Sequence, residues 1–198
     1  MRGRIKEKRA AGGLSYGYAV KREIDANGEP VRGGRIINPG EAATIRRIFS
    51  EFASGASPRA IAKRLNGERI RGPGGRPWQD TTIRGHAERG TGILRNELYA
   101  GRLVWNRQRF VKDPATGKRQ ARRNPHAAWI VEDVPELRIV DEVLWERVSS
   151  RLHAIAKTPT SVAIRESRFW EKRRARHILT GLAVCGRCDH PLAAVGRD

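Results

Sequence analysis

Cys185 and Cys188, separated by Gly186-Arg187, are the residues whose type and spacing most directly suggest chemistry. Two thiolates three positions apart, with a glycine permitting the tight turn, form one knuckle of a tetrahedral zinc site. A structural site needs four ligands, but only ten residues follow Cys188, and His190 is too close to serve as an opposing knuckle. The expectation is half a zinc site, with the second ligand pair absent from this chain. Inert thiols and a redox pair are the rival readings. A redox pair would want a helix after it, for which Pro191 and the few remaining residues leave no room. Other catalytic signatures are missing from the sequence: there is no H-E-x-x-H, G-x-S-x-G, G-x-x-x-x-G-K-[ST] or G-x-G-x-x-G run. His86, His126, His153 and His177 are scattered and read as surface or satisfied polar residues, while Asp141-Glu142 reads as helix-start chemistry.

The arginines carry the stronger signal. Of 198 residues, 40 are Lys or Arg against 21 Asp or Glu, a net charge of +19, and 32 of the bases are Arg. Such a charge implies an anionic partner or a very soluble surface. An anionic membrane would be met by Lys-rich amphipathic helices, and none is present. No run of about 18 apolar residues could span a bilayer, and no apolar stretch follows the basic N-terminus as a secretory signal requires. Two cysteines make no disulfide framework, which fits a reducing cytoplasm. The planar fork of Arg suits phosphates and base edges. A GC-rich genome would also write Arg for Lys, so the inference rests on net charge, and the partner it implies is nucleic acid. Hydrophobic residues are 38%, enough for a modest core built around five Trp, four Phe and three Tyr.

The charge is also uneven. Residues 59–123 hold 17 bases and 5 acids, residues 132–151 hold 3 and 6, and residues 157–176 hold 7 and 2. A uniform solubility coat would not reverse sign, so the middle of the chain reads as a contact face and 132–151 as scaffold turned away from phosphate.

Local signals place these residues on elements. Residues 14–20 have strand composition. Asp25-Ala26-Asn27-Gly28 predicts a hairpin turn with positive φ at Asn27 and Gly28, and a return strand to about Ile37. Asn38-Pro39-Gly40-Glu41 starts a helix with Ala42, Ile45, Ile48, Phe49 and Phe52 on one face, ended by Gly55. Ser57-Pro58 starts a second, to about Leu65, with Ala60, Ile61 and Leu65 inward; together they make a helix-turn-helix-like unit. After a Gly/Pro/Arg-rich loop, Asp80 or Thr81 is expected to cap a helix carrying Arg84, His86 and Arg89, interrupted at Gly90-Thr91-Gly92. From Arg102 to Phe110 the period is two. Asp113–Gly117 turns, and Lys118–Arg123 returns as a basic β-ribbon with interleaved aromatics. Trp129-Ile130-Val131 is a further strand, and Asp141 caps a helix with Leu144, Val148, Leu152 and Ile155 on one stripe. Thr158–Ser161 breaks it before a basic segment, helix or linker. No internal repeat is present. The fold class is α+β.

With these segments in order, the chain resembles the recombinase domain of large serine recombinases, the phage-type integrases and transposon resolvases. The resemblance is carried by Gly12-Gly13 with Tyr16-Gly17-Tyr18, by Asn38-Pro39 through Ile48-Phe49 and Phe52, by Ser57–Leu65, and by Trp78 with Thr82-Ile83. It continues through Ile93-Leu94-Arg95-Asn96, Tyr99-Ala100-Gly101, Trp105-Asn106, Pro135, Ile139-Val140-Asp141 and Trp145-Glu146. Leu179, Gly181-Leu182 and Cys185–Cys188 are similar to the opening of the family's zinc β-ribbon.

The resemblance implies a basic linker over 1–12, a DNA-binding domain over 13–156, a basic linker or helix over 157–176 and the start of the zinc ribbon over 177–198. It implies an attachment-site-binding module of a strand-exchange enzyme, working with other recombinase subunits in a bacterial or phage setting, at the nucleoid. The family's catalytic serine domain precedes this region. Ser15 does not sit in its motif, so no nucleophile is assigned and the chain is expected not to cleave DNA alone. The DNA-binding set expected is Arg2, Arg4, Lys6 and Arg9 in the minor groove; Arg59, Arg64 and Arg84 toward the major groove; Arg102, Arg107, Arg109, Lys118, Arg119, Arg122 and Arg123 on the ribbon, mostly at phosphates; and Arg89 and Arg95, with no groove assigned. Cys185 and Cys188 are the metal ligands. Two other readings stay open: a non-catalytic RNA-binding protein with Trp105 or Phe110 stacking on bases, and a remnant or regulatory fragment docking on intact recombinase.

Overall fold

The computed structural model describes residues 2–10, 12–87, 89–114, 117–167 and 183–187. Contacts divide the chain into a unit at Met1–Arg151 and another at Leu152–Asp198. The first is a mixed α+β body. It opens with α1 (Arg2–Lys6), followed by β1 (Tyr18–Val20) and β2 (Arg35–Ile37), which pair antiparallel with Tyr18 opposite Ile37. The strands are shorter than their composition predicts, and the turn between them differs from the expected Asn-Gly form. Gly28 alone of the pair has positive φ, and the Asp25 carboxylate holds the turn by accepting from the Asn27 and Glu29 amides at 2.8 and 2.9 Å.

Capping chemistry then sets two helices as the sequence predicts. The Asn38 side chain accepts from the Glu41 amide at the start of α2 (Pro39–Ala53), and Ser57 does the same for Ala60 in α3 (Pro58–Gly67). In α2 the expected face, Ala42, Ile45, Ile48, Phe49 and Phe52, is buried. In α3 the buried set is Ile61, Ala62 and Leu65; Ala62 replaces the expected Ala60 because the stripe turns toward the next helix, against which α3 packs. That helix, α4 (Asp80–Arg84), is one turn long and lacks the expected Asp80 or Thr81 cap. It stops at Gly85, where a Cβ would meet the Thr91 carbonyl oxygen at 1.6 Å. The backbones of Gly85 and Gly92 touch, so His86 and Arg89 leave the helix and sit on the following turn.

The predicted ribbon is divided in two. Asn106 adopts φ +64, a left-handed conformation that Asn tolerates better than most residues, and breaks the period-two run. Before the break, β3 (Arg102–Trp105) pairs with a later strand, β6 (Ile130–Asp133), with Arg102 opposite Asp133 and Trp105 opposite Ile130. After it, β4 (Gln108–Lys112) pairs with β5 (Arg119–Arg123) to form a separate antiparallel ribbon.

A polar knot joins the two sheets. Asn124 is only 7% exposed; its amide donates to the Arg107 carbonyl at 2.9 Å, and its side chain donates to the Asn106 carbonyl and side-chain oxygens at 2.9 and 3.0 Å. Asn106 donates in turn to the Ala128 carbonyl at 2.8 Å. Beneath the knot, Glu97 pairs with Arg107 at 2.5 Å and with Arg102 at 3.5 Å.

The rest of the core gathers on two tyrosines. The Tyr18 hydroxyl lies 3.0 Å from the Leu98 carbonyl oxygen and 2.8 Å from that of Leu137, and its ring stacks on Tyr99. Burial, first of all, pushes both phenols well above their usual range. α5 (Glu142–Ala156) is capped as expected, Asp141 accepting from the Leu144 amide at 2.8 Å. Val148 is buried, whereas Ile155, expected on the same stripe, is 42% exposed because it lies beyond the part of the helix that has a core beside it. Arg151 closes the far end of α2, donating to the Phe52, Gly55 and Ala56 carbonyls. In the second unit, Thr158 caps α6 (Pro159–Glu166), resolving the helix-or-linker choice in favour of helix up to Glu166. Among the described residues no helix is long and apolar enough to cross a membrane.

Two measurements check this account. Tyr18→Phe removes a buried donor from two carbonyls and is expected to cost about 1–2 kcal/mol in urea unfolding, with an unchanged slope. Glu97→Ala leaves the half-buried Arg107 guanidinium without its carboxylate, while Arg102 keeps Glu142, and is expected to cost roughly 2 kcal/mol. It should also speed amide exchange at Asn124 more than in α2.

Candidate nucleic-acid interface

The β4–β5 ribbon is exposed along almost its whole length. Its turn is closed by the Asp113 amide bonding to the Lys118 carbonyl, with Gly117 at φ +67. The register aligns Gln108 with Arg123, Arg109 with Arg122, Phe110 with Ala121, Val111 with Gln120, and Lys112 with Arg119. One face therefore carries Arg123, Phe110, Lys112 and Arg119, and the other carries Arg109, Arg122 and Val111. On each face two cations sit directly opposite one another, an arrangement that destabilises a free sheet.

Local contacts hold some of these side chains in place without neutralising them. Arg119 lies over the Phe110 ring at 5.6 Å, and Arg122 bonds to the Gln120 side chain at 2.8 Å. Arg123 meets His126 Nε2 at 2.9 Å and the Trp129 ring at 5.5 Å, with His126 itself stacked on Trp129. Among the described residues no carboxylate forms an ion pair with Arg109, Lys112, Arg119, Arg122 or Arg123.

The remaining sequence candidates separate by their partners. Arg102 pairs with Glu142 at 2.9 Å and lies over Trp145, while Arg107 pairs with Glu97 and lies over Trp129. Both are half-buried props of the scaffold, their charge met within the protein. Arg64 donates to Glu51 at 2.6 Å in a chain of pairs that includes Arg47 and Glu68. Burial opposes ionisation of Glu51, but the hydrogen bonds from Arg47 and Arg64 prevail and hold its carboxyl below the usual range. Arg95 is half-buried and donates to the Arg84 carbonyl; burial, then the nearby Arg84 charge, lowers its pKa. Arg84 faces Asp80 at 3.4 Å, and Arg9 faces Glu7 at 3.4 Å. Lys6, Arg59 and Arg89 are exposed; Arg2 and Arg4 lie on α1.

Two residues missing from the sequence-derived set belong beside it. Lys112 is the cross-strand partner of Arg119, which follows once the turn is centred on 113–118. Arg35 faces an open groove of about 490 Å³ that Arg89 also lines. It donates to the Gly13 carbonyl at 2.6 Å, and burial pulls its pKa down. Its position in a short strand gave no sequence signal.

Cys185 is half-buried beside the Gly186-Arg187 turn, and Cys188 lies outside the described residues. Among the described residues no three His, Cys, Asp or Glu side chains converge where a metal could sit.

Two solved structures resemble the chain. One, the crystal structure of an LSR–DNA complex, is 19% identical, with a TM-score of 0.47 over 96% of this chain and 47% of that one. The other, described under the sequence requirements of the Listeria innocua prophage attP site, is 19% identical, with a TM-score of 0.46 over 96% of this chain and 62% of that one. The chain thus spans about half to three-fifths of their lengths. No curated protein matches. The Recombinase family model matches residues 39–154, from the first residue of α2 to near the end of α5. With that stretch covering more than half of its length, the chain belongs to the Recombinase family.

Proposed function

We propose that this chain is a duplex-DNA-binding module of a site-specific recombinase, with the β4–β5 ribbon as its principal contact. The supporting observation is the register. Arg109 facing Arg122 and Lys112 facing Arg119 lower the stability of the free ribbon, and a polyanion set against it removes that repulsion. A two-stranded ribbon has the dimensions of the major groove, about 12 Å wide, and not of the minor groove, about 6 Å wide. With cations on both faces, such a ribbon can meet the phosphates of both groove walls while its centre approaches the base edges. Arg59 on α3 and Lys6 on α1 add exposed charge for the flanking backbone. In this reading the module recognises an attachment site for strand exchange, with other recombinase subunits as its partners. Cys185 and Cys188 begin a zinc ribbon completed by other ligands, and the setting is the cytoplasm.

Fluorescence anisotropy across a salt series tests the reading. Affinity for duplex DNA should fall steeply between 50 and 200 mM salt. Arg122→Gln should reduce the salt slope by about one and weaken binding to all duplexes alike. It should also raise stability by a few tenths of a kcal/mol by relieving the cross-strand repulsion. Salt-insensitive binding, or preference for single-stranded RNA in competition, would sink it.

A further inference from the structure

Phe110 is unexplained by phosphate binding. It occupies the centre of β4 and is 57% exposed; among the described residues it is the one large aromatic so exposed. Its cross-strand neighbour is Ala121, too small to cover the ring. Arg119 lies over one side of it at 5.6 Å, and the ring also borders the open groove that Arg35 and Arg89 line. Among the described residues the two strands bury almost none of their own side chains, so more than half of the ring stays in water. At a solvated strand position, Thr would suit strand geometry as well without leaving an apolar ring in water.

We propose that Phe110 is a specificity residue that reads thymine methyl groups in the major groove. This deepens the proposed function and rests on it. The thymine C5-methyl is the apolar feature that the major groove displays, and the minor groove offers none. An apolar side chain at the midpoint of a ribbon whose flanks carry Arg109, Arg119, Arg122 and Lys112 stands where the groove floor would lie once the cations reach the walls. Stacking on an unpaired base would require single strands. A wedge between base steps would require entry through the narrow minor groove, and the paired strands with cations on both faces are too broad for it. Arg119, held against the ring, is kept beside the same base step, so the apolar contact and a guanidinium donor are presented together.

The test uses the whole chain and duplexes that it selects from a random pool. The selected duplexes are remade with deoxyuridine replacing thymidine at one position at a time, which removes a single methyl. Wild-type protein is expected to lose roughly fourfold in affinity at one or two positions, the effect of one buried methyl. Phe110→Ala should bind the thymidine duplex more weakly by a similar factor and show no further loss with deoxyuridine. Phe110→Leu should keep most of the discrimination. All three proteins should share the same salt slope, which shows that the fold and phosphate contacts persist. Wild-type indifference to deoxyuridine at every position overturns the proposal while leaving duplex binding intact. So does a full deoxyuridine penalty retained by Phe110→Ala, or a loss in that variant unrelated to methyl content. Absence of salt-dependent duplex binding overturns the proposed function itself.

Discussion

The ribbon's self-repulsion is the constraint around which the rest of the first unit is organised. Two five-residue strands with no apolar face are marginal in water even without opposed cations. This pair stands because its root is fixed. Asn124, buried at the end of β5, holds the Asn106 turn from the other side, while Arg107 is pinned below by Glu97 and above by Trp129. The direction of the ribbon is therefore set by short polar contacts among half-buried groups and not by burial of its own side chains. Its length can be charged freely because none of its own residues has to hold it up.

The same logic sorts the arginines. Thirty-two of them suggest a generic coat, yet in the structure they divide by whether a carboxylate is within reach. Arg47, Arg64, Arg102 and Arg107 are matched by Glu51, Glu68, Glu97 and Glu142 and brace one element against another. The segment 132–151, acidic overall, contributes Glu142 to this bracing. Among the described residues, the cations of β4 and β5 have no such match and stay exposed.

How far the sequence could be read depended on the range of the determining contact. Asn38, Ser57 and Asp141 were legible as caps because each acts on an amide three residues away; Thr158, read only as a break, caps α6 in the same way. The α2 face was legible because its period is fixed by the helix itself. The short α4 was not, since its end is imposed by the Gly85–Gly92 backbone contact, which no local rule reveals. The break at Asn106 was hidden because a lone Asn in an alternating run reads as a solvent-facing strand residue. Its turn is dictated by Asn124, 18 positions on. Ion pairing was the least visible. Arg102 and Arg109 look alike in sequence, and only the fold places Glu142, 40 positions away, against the first.

Each strand of the ribbon has one outer edge whose backbone groups pair with no other strand among the described residues. Such edges invite a second copy to add on, and natural sheets deter this by lining the edge with charge, Lys above all. Here the row of guanidinium and ammonium groups repels a like ribbon as strongly as it attracts a polyanion. Solubility and recognition thus share one set of side chains, and salt concentrated enough to strip the protein from an anionic partner also lowers the barrier between its own copies.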